Sequence, residues 1–253
     1  MFSGKSTVVS TSSPDALPVV SVLGLPLHLH DHYEMWLADR LREGRSTHVV
    51  TLNAEMAIQA EANPELARCI HQADLVVPDG SGVVFYLRLR GCRSDRVPGI
   101  EVAANLLKLA ASAGWSVFFY GGKPGVPEAA QANWQQSYPS LRIVGVQHGY
   151  VQAAEEQELL NRLQTLQPQI ILVGLGVPRQ ELWIEQYRHL CPHSIWIGVG
   201  GSFDIWAGLK ERAPEWFQEN HLEWMYRLYQ EPWRWRRMLA LPKFAWKALR
   251  WKD

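Results

Sequence analysis

Asp79 is the residue in this sequence whose setting most favours chemistry. It follows the apolar run Leu75-Val76-Val77 and Pro78, and it precedes Gly80-Ser81-Gly82. An apolar run that ends in a proline, a carboxylate and two glycines is typical of a buried parallel strand whose C-terminal end opens into a cleft. A carboxylate placed there is a candidate general base. On this stretch alone, a turn residue or the N-cap of a helix over Val83 to Arg90 is the favoured interpretation, and the flanking motifs shift the balance towards chemistry.

Three other predicted strands end in polar or glycine-rich turns. These turns read Thr51-Leu52-Asn53, Gly174-Leu175-Gly176-Val177-Pro178-Arg179-Gln180 and Gly198-Val199-Gly200-Gly201-Ser202-Phe203-Asp204. A glycine-rich turn that enters a helix exposes backbone N–H groups and the positive end of the helix dipole, which suit phosphate oxygens. Two such turns beside one carboxylate favour a nucleotide or diphosphate donor next to a general base. The alternative is that the glycines only make the βα turns tight.

Arg96 precedes a predicted helix in the segment Arg96-Val97-Pro98-Gly99-Ile100-Glu101. Its guanidinium is suited to bind a phosphate or to hold a carboxylate such as Asp79, although an arginine in a surface loop fits the pattern equally well. The dinucleotide fingerprint GxGxxG is missing, because GLGVPR, GVGGSF and GSGVVF all lack the third glycine. A nicotinamide-dependent dehydrogenase is therefore disfavoured, and no hydrolase elbow, HExxH motif or kinase signature occurs.

Composition narrows the class of protein further. The 253 residues carry 25 basic and 25 acidic side chains, so no overall field favours nucleic acid. Three cysteines without a CxxC pair indicate neither a disulfide framework nor a zinc site, and they suit a reducing cytosol. Neither a signal peptide nor a membrane span is predicted. Alternating histidines at His28, His30 and His32 present either a metal-binding face or a solvated turn, and no further cluster completes a metal site.

Strands alternate with helices along most of the chain, which predicts an α/β fold: a mostly parallel, Rossmann-like sheet covered by helices on both faces. We assign residues 1–18 to a disordered lead-in, 19–212 to this domain and 213–253 to a C-terminal helical appendage. One long helix is expected from Ala54 to Gln72. The appendage is expected to be helical throughout, with breaks at Pro214, Pro232 and Pro242.

The appendage is basic and rich in tryptophan. It contains six of the twelve tryptophans, and from Arg227 onward eight basic residues stand against two acidic ones. Indoles and basic side chains on helices suit a membrane interface, where each Lys or Arg near anionic lipid contributes about 1 kcal/mol. A contact between copies of the chain is compatible with this reading, whereas nucleic-acid binding is the least favoured alternative.

Nine motifs together resemble the WecG/TagA/CpsF family of bacterial glycosyltransferases. They occur in order between about Val19 and Leu241, as TLNAEM, VVPDGSGVV, RVPGIE, FYGG, HGY, GLGVPRQELW, GVGGSFDIWAG, RAPEW and EWMYRLYQEPWR. The departures are small. Glu101 stands where the family usually has aspartate, and Val177 and Arg179 lie at variable positions of their turn. These departures bear on sugar preference rather than on fold or class.

The resemblance implies an inverting transfer of a sugar, N-acetylmannosamine or a related hexose, from a UDP-sugar to a polyprenyl-diphosphate-linked sugar in cell-surface polysaccharide synthesis. It implies no metal and no cofactor, and a cytoplasmic protein held peripherally on the inner face of the membrane. The alternative is a non-catalytic module that binds the nucleotide sugar or the lipid.

The resemblance also assigns site residues. Those it places at the reacting centre are Asp79 (the base), Arg96 and Gln180. Those it places on the acceptor side are Thr51, Asn53, Arg227, Arg234 and Arg237. Those it places on the nucleotide-sugar side are Tyr150, Gly174, Gly176, Pro178, Gly200, Gly201 and Asp204.

Overall fold

The computed structural model describes residues 17–92 and 94–251, so most of the predicted lead-in lies outside the described residues. In these described residues, eight strands form: β1 (Val19–Val22), β2 (Leu25–His28), β3 (Thr47–Leu52), β4 (Leu75–Pro78), β5 (Ser116–Gly121), β6 (Arg142–Gln147), β7 (Ile170–Gly174) and β8 (Ile195–Gly198). The first two form an antiparallel hairpin. The other six form one parallel sheet, as expected for strands that are almost entirely apolar.

The strand order of the sheet is β4-β3-β8-β7-β5-β6. In the register, Val49 of β3 pairs with Leu75 of β4 on one side and with Ile197 of β8 on the other. The carboxyl ends of β3, β4, β7 and β8 therefore lie along one edge of the sheet. These are the four strand ends at which the sequence placed its polar and glycine-rich turns.

Thirteen α-helices connect and cover the strands within the described part of the chain. They are α1 (Tyr33–Arg42), α2 (Ala54–Ala62), α3 (Pro64–Gln72), α4 (Ser81–Leu89), α5 (Gly99–Ala113), α6 (Val126–Ser137), α7 (Ala153–Leu166), α8 (Arg179–Tyr187), α9 (Ser202–Trp206), α10 (Glu215–Glu219), α11 (Glu223–Gln230), α12 (Trp235–Met238) and α13 (Ala240–Arg250).

The helices bury both faces of the sheet, because successive strand residues point to opposite sides. Val49 contributes to a core shared with α1, α5 and α6, whereas its neighbour Val50 contributes to a core shared with the hairpin and α2 to α4. A third cluster lies under α7 and α8, where Trp196 is fully buried. The predicted α/β architecture with helices on both faces is confirmed.

Two details of the helix prediction are wrong. The expected single helix from Ala54 to Gln72 is two helices, because Asn63 lies between them in an extended conformation. Its side chain caps α3, and Pro64 follows at the first helical position. Pro242 does not break the last helix. It lies in the first turn of α13, where a backbone N–H would have no intrahelical partner.

The C-terminal helices return to the main body of the protein. Phe244 and Ala248 of α13 are buried in the same core as α2 and α4, and the Phe244 ring meets that of Tyr86 edge-on. Over residues 17–92 and 94–251, no helix combines the length and the apolar character that a membrane crossing requires. The histidines near the hairpin make local contacts: His28 Nδ1 accepts a hydrogen bond from Val76 N–H, and His30 Nδ1 accepts one from His32 N–H.

Candidate active site

A polar cleft of about 560 Å³ opens at the carboxyl edge of the sheet. Of the fifteen site residues that the sequence singled out, fourteen line it. The exception is Pro178, which is the N-cap residue of α8 and whose carbonyl accepts the hydrogen bond of Leu182 N–H. The fold thus brings together residues that lie up to 186 positions apart, from Thr51 to Arg237.

Asp79 lies directly after β4, at the base of the cleft. Its backbone N–H donates to Leu52 O, which ties the turn to the neighbouring strand β3. Its Oδ1 accepts the N–H of Gly99 at 2.9 Å, at the start of α5. Among the described residues, Oδ2 accepts no hydrogen bond, and Asp79 itself is only half-buried. One carboxylate oxygen is therefore fixed by the backbone, and the other is available to a ligand.

The surroundings of Asp79 make it a stronger base than an ordinary carboxylate. Burial raises the pKa of the Asp79 carboxyl, and this effect outweighs the hydrogen bond from Gly99 and the nearby positive charges of Arg227 and Arg96, which lower the pKa. The negative charge of Glu223 raises the pKa further. A raised pKa brings a carboxylate closer to the range in which it accepts a proton efficiently near neutral pH.

Thr51 and Asn53 mark the end of β3 beside Asp79. Thr51 Oγ1 donates to Gly198 O at 3.4 Å, and the Thr51 methyl group packs so closely on Gly99 that a Cβ at position 99 would lie 2.6 Å from it. Asn53 caps α2 by accepting the N–H of Met56 at 3.0 Å. Both residues line the cleft as expected, and both also hold the strand end in place.

Gln180 connects the two glycine-rich turns. Its Oε1 accepts the N–H of Gly176 and that of Gly200, each at 3.1 Å, and its Nε2 donates to Glu181 Oε1 at 2.9 Å. The residue is only 2% exposed. Because both the oxygen and the nitrogen of its amide are bonded to the protein, these contacts favour a positioning role for Gln180 over direct contact with a reacting atom.

A buried polar pair under Gln180 was missed by the sequence reasoning. Glu181 of α8 and His48 of β3 are both fully buried, and Glu181 Oε2 lies 2.9 Å from His48 Nε2. His48 N–H also donates to Asp74 Oδ2 at 2.8 Å. The available signal was the presence of a histidine inside the otherwise apolar strand HVVTL. The pair anchors the start of α8, and with it the turn that carries Gly176.

Three arginines of the C-terminal helices reach the cleft, and carboxylates hold two of them. Arg237 Nε lies 2.5 Å from Glu55 Oε1, and Arg234 Nη1 lies 2.7 Å from Glu231 Oε2. The Arg227 side chain lines the cleft, and its guanidinium makes no hydrogen bond or ion pair with the described residues. The three arginines assigned to the acceptor side thus line one cleft, two of them paired with a glutamate and the third, Arg227, without a carboxylate partner among the described residues.

Arg96 joins the core of the site to the appendage. Its Nε donates to the backbone oxygen of Asp79 at 2.8 Å, and its Nη2 pairs with Glu223 Oε2. Glu223 is 6% exposed, and burial by itself would raise the pKa of its carboxyl. The neighbouring positive charges, of which Arg96 has the largest effect, together hold that pKa below its usual value. Sequence reasoning missed Glu223, which begins α11 and fixes that helix over the cleft.

The donor side of the cleft is formed by the turns after β7 and β8 and by Tyr150. Gly174 leaves no room for a side chain, since a Cβ there would lie 2.8 Å from Gly200 O. Gly176 and Gly200 have φ values of +76° and +51°, a backbone region that glycine adopts without strain. Asp204 does not stand free, because its Oδ2 accepts Lys210 Nζ at 2.7 Å. Tyr150 is exposed at the rim.

This arrangement places a base, a set of backbone donors and several arginines around one space. A hydroxyl placed at Asp79 Oδ2 would lose its proton to the carboxylate. Negative charge that develops on a departing phosphate would meet N–H groups and guanidinium groups. The chemistry that fits best is transfer of a group away from a phosphorylated leaving group. Among the described residues, no group of three or more His, Cys, Asp or Glu side chains could hold a metal ion.

Comparison with known proteins agrees with this geometry. The family described as "Glycosyl transferase WecG/TagA/CpsF family" matches residues 20–253. The chain is 37% identical over 211 residues to the N-acetylglucosaminyldiphosphoundecaprenol N-acetyl-beta-D-mannosaminyltransferase of Bacillus spizizenii, covering 83% of this chain and 81% of the relative. It is also 37% identical over 203 residues to the protein of the same name from Bacillus subtilis, covering 80% and 78%. The chain therefore belongs to the WecG/TagA/CpsF family of glycosyl transferases.

Proposed function

We propose that this glycosyltransferase moves N-acetylmannosamine, or a closely related hexose, from a UDP-sugar to a polyprenyl-diphosphate-linked N-acetylglucosamine. The proposal rests first on Asp79, a half-buried carboxylate with one free oxygen at the carboxyl edge of the sheet. The names of the two relatives support the choice of sugar and acceptor, since both describe transfer of N-acetylmannosamine to a diphosphoundecaprenol-linked sugar.

The proposed reaction is a single displacement. The acceptor hydroxyl gives its proton to Asp79 Oδ2, and its oxygen forms a bond to the anomeric carbon of the donor sugar. The bond from that carbon to the β-phosphate oxygen breaks, and its electron pair leaves with UDP. Attack from the face opposite the leaving group inverts the anomeric centre. A positioned base contributes about 10²–10⁴-fold to such a step.

The two substrates would occupy opposite sides of Asp79. On the donor side, Gln180 accepts the N–H groups of Gly176 and Gly200 and so fixes the two glycine-rich turns, whose small residues let the diphosphate of the UDP-sugar approach the backbone closely. On the acceptor side, Arg227 and Arg237 suit the diphosphate of the lipid carrier. Arg237 would exchange its partner Glu55 for a phosphate oxygen.

We further propose that the protein works while held peripherally on the inner face of the cell membrane. Trp233, Trp235 and Trp246 are exposed on the C-terminal helices. Arg236 and Arg250 stack on two of these rings, with guanidinium carbons 5.5 Å and 4.2 Å from the ring centroids of Trp235 and Trp246. Indole rings with adjacent cations match the headgroup region of anionic lipid.

The test of the catalytic proposal is release of UDP from a panel of UDP-sugars, with a short-chain lipid-diphosphate-N-acetylglucosamine as acceptor and with EDTA present. We expect acceptor-dependent release with UDP-N-acetylmannosamine, loss of that release in Asp79→Asn, and inversion of the anomeric centre in the product. Near-wild-type turnover by Asp79→Asn would contradict the role of Asp79. Release that needs a divalent cation would contradict a metal-independent transfer.

A non-catalytic module that binds the nucleotide sugar or the lipid is the second candidate. It is favoured only by the ion pairs that engage Arg234 and Arg237. That candidate predicts UDP binding without transfer to any acceptor.

A further inference from the structure

A second, apolar cavity adjoins the cleft on its acceptor side. This apolar groove, about 540 Å³ in volume, lies between α4 and the C-terminal helices. Its walls include Val84, Phe85, Leu241, Pro242 and Ala245. Only three of its thirteen lining residues, a serine, an arginine and a histidine, have side chains that are polar. Nothing in the catalytic proposal uses this space.

The groove is continuous with the catalytic cleft. Ser81, Gly82 and Leu241 are among the residues that line both spaces. Ser81 and Gly82 begin α4 only two and three positions after Asp79, whereas the donor-side turns contribute nothing to the groove. A molecule that spans both spaces therefore has its polar end near Asp79 and its apolar end between α4 and α13.

We propose that the apolar groove binds the first prenyl units of the lipid-linked acceptor, next to its diphosphate. This inference rests on the proposed function, and the names of the relatives supply a prenyl-diphosphate acceptor. In such a molecule, a branched apolar chain follows the diphosphate directly. In the protein, an apolar groove directly follows a cleft wall that carries Arg227 and Arg237. The acceptor lipid and the protein thus match: the diphosphate faces the arginines of the cleft, and the prenyl chain that follows it faces the apolar groove.

The structure also explains how the groove keeps its shape. Gly82 faces Phe244 across its inner end, where a Cβ at position 82 would lie 3.0 Å from the Ala54 Cβ and 3.6 Å from the Phe244 ring. Phe244 is 1% exposed and locks α13 to the core. One wall therefore belongs to the α/β domain and the other to the C-terminal helices, so the groove exists only when these helices are docked.

The experiment compares binding of farnesyl diphosphate and inorganic diphosphate to the full-length protein. Because each buried methylene contributes about 0.8 kcal/mol, burial of even two carbons gives about a tenfold preference for farnesyl diphosphate. We expect Ala245→Phe, which fills the groove, to remove most of this preference. The matched control is Leu249→Trp, which adds bulk to an exposed position of α13 outside the groove and should keep the preference. Phe85→Ala, which removes a wall, should weaken it.

The remaining outcomes would overturn the proposal. Equal affinity for the two diphosphates in the wild-type protein would exclude a prenyl site. A loss of binding to anionic vesicles in Ala245→Phe, with the farnesyl preference intact, would make the groove a membrane contact. A shift from dimer to monomer in Ala245→Phe, again with the preference intact, would assign the groove to a second copy of the chain. Since binding is measured without turnover, a failed transferase assay does not decide this result.

Discussion

Replacing Gln180 with methionine would test how the donor side of the cleft is held together. Methionine has a similar length but neither accepts from Gly176 and Gly200 nor donates to Glu181, so three hydrogen bonds are lost. At a net contribution of about 1 kcal/mol each, the free energy of unfolding should fall by about 3 kcal/mol. The two glycine-rich turns would no longer share a common acceptor.

The same change should weaken binding of UDP. If UDP has to reorder the two turns that the hydrogen bonds of Gly176 and Gly200 held in place, the affinity for UDP falls by up to roughly thirtyfold, which is equivalent to about 2 kcal/mol. Urea unfolding gives the stability, and calorimetric titration with UDP gives the affinity. The matched control is Ser194→Ala. It removes a buried hydrogen bond to Pro168 O at the opposite end of β8, and it should reduce stability without changing UDP affinity.

One result would refute this reasoning. If Gln180→Met loses stability but binds UDP within about twofold of the wild-type affinity, well short of the expected change, the turns do not depend on the Gln180 amide for their binding geometry. A role for Gln180 at the reacting centre would then have to come from direct contact with substrate rather than from its hydrogen bonds to the two turns.

Three further predictions concern the acceptor side. Asp79→Asn should lower kcat by about 10²–10⁴-fold. Burial raises the pKa of Asp79 in the folded protein above its unfolded value, so the free energy of unfolding of the wild-type protein falls as pH rises from the unfolded pKa to the folded one. Asparagine carries no charge to bury, so the variant should melt no lower than wild type at pH 7. Gly99→Ala should cost about 1–3 kcal/mol in urea unfolding through its clash with Thr51, and adding Thr51→Ser, which removes the methyl group, should recover part of that loss. Arg237→Ala should raise the KM for a soluble short-chain acceptor about tenfold or more, by loss of a charge-assisted hydrogen bond. Arg236→Ala, which changes a residue stacked on Trp235 outside the cleft lining, should leave that KM near wild type in steady-state assays without lipid vesicles.

The sequence was sufficient for the elements and for the edge of the sheet at which the site lies. Each strand is a short apolar run, and each of the important turns begins where such a run meets glycine or a polar residue, as at Asp79 and Gly198. Helix ends were harder to place. The residues on both sides of Asn63 have helical apolar spacing, yet the helix ends there. The side-chain cap of Asn63 and the proline that follows stabilise the start of a second helix more than the spacing stabilises a single long one.

The strand order and the ion pairs could not be predicted from the residues themselves. β3, β7 and β8 are buried on both faces, so nothing in their burial pattern distinguishes the neighbours of each strand. The pairing of Arg96 with Glu223 joins residues 127 positions apart, and only the folded chain brings them together. The same holds for His48 and Glu181, whose burial depends on the helix that covers them.

The central position of β8 has a consequence for how the protein folds during synthesis. β8 is the last strand of the sheet to be made, yet it lies between β3 and β7. Until the ribosome has released it, β4-β3 and β7-β5-β6 are two partial sheets, each with an unpaired edge of apolar residues. Such edges are prone to pair with other chains. Insertion of four residues, Ile195–Gly198, protects both edges and joins the two halves of the catalytic cleft in one step. Nascent chains paused before this strand should therefore need chaperones far more than chains released after it.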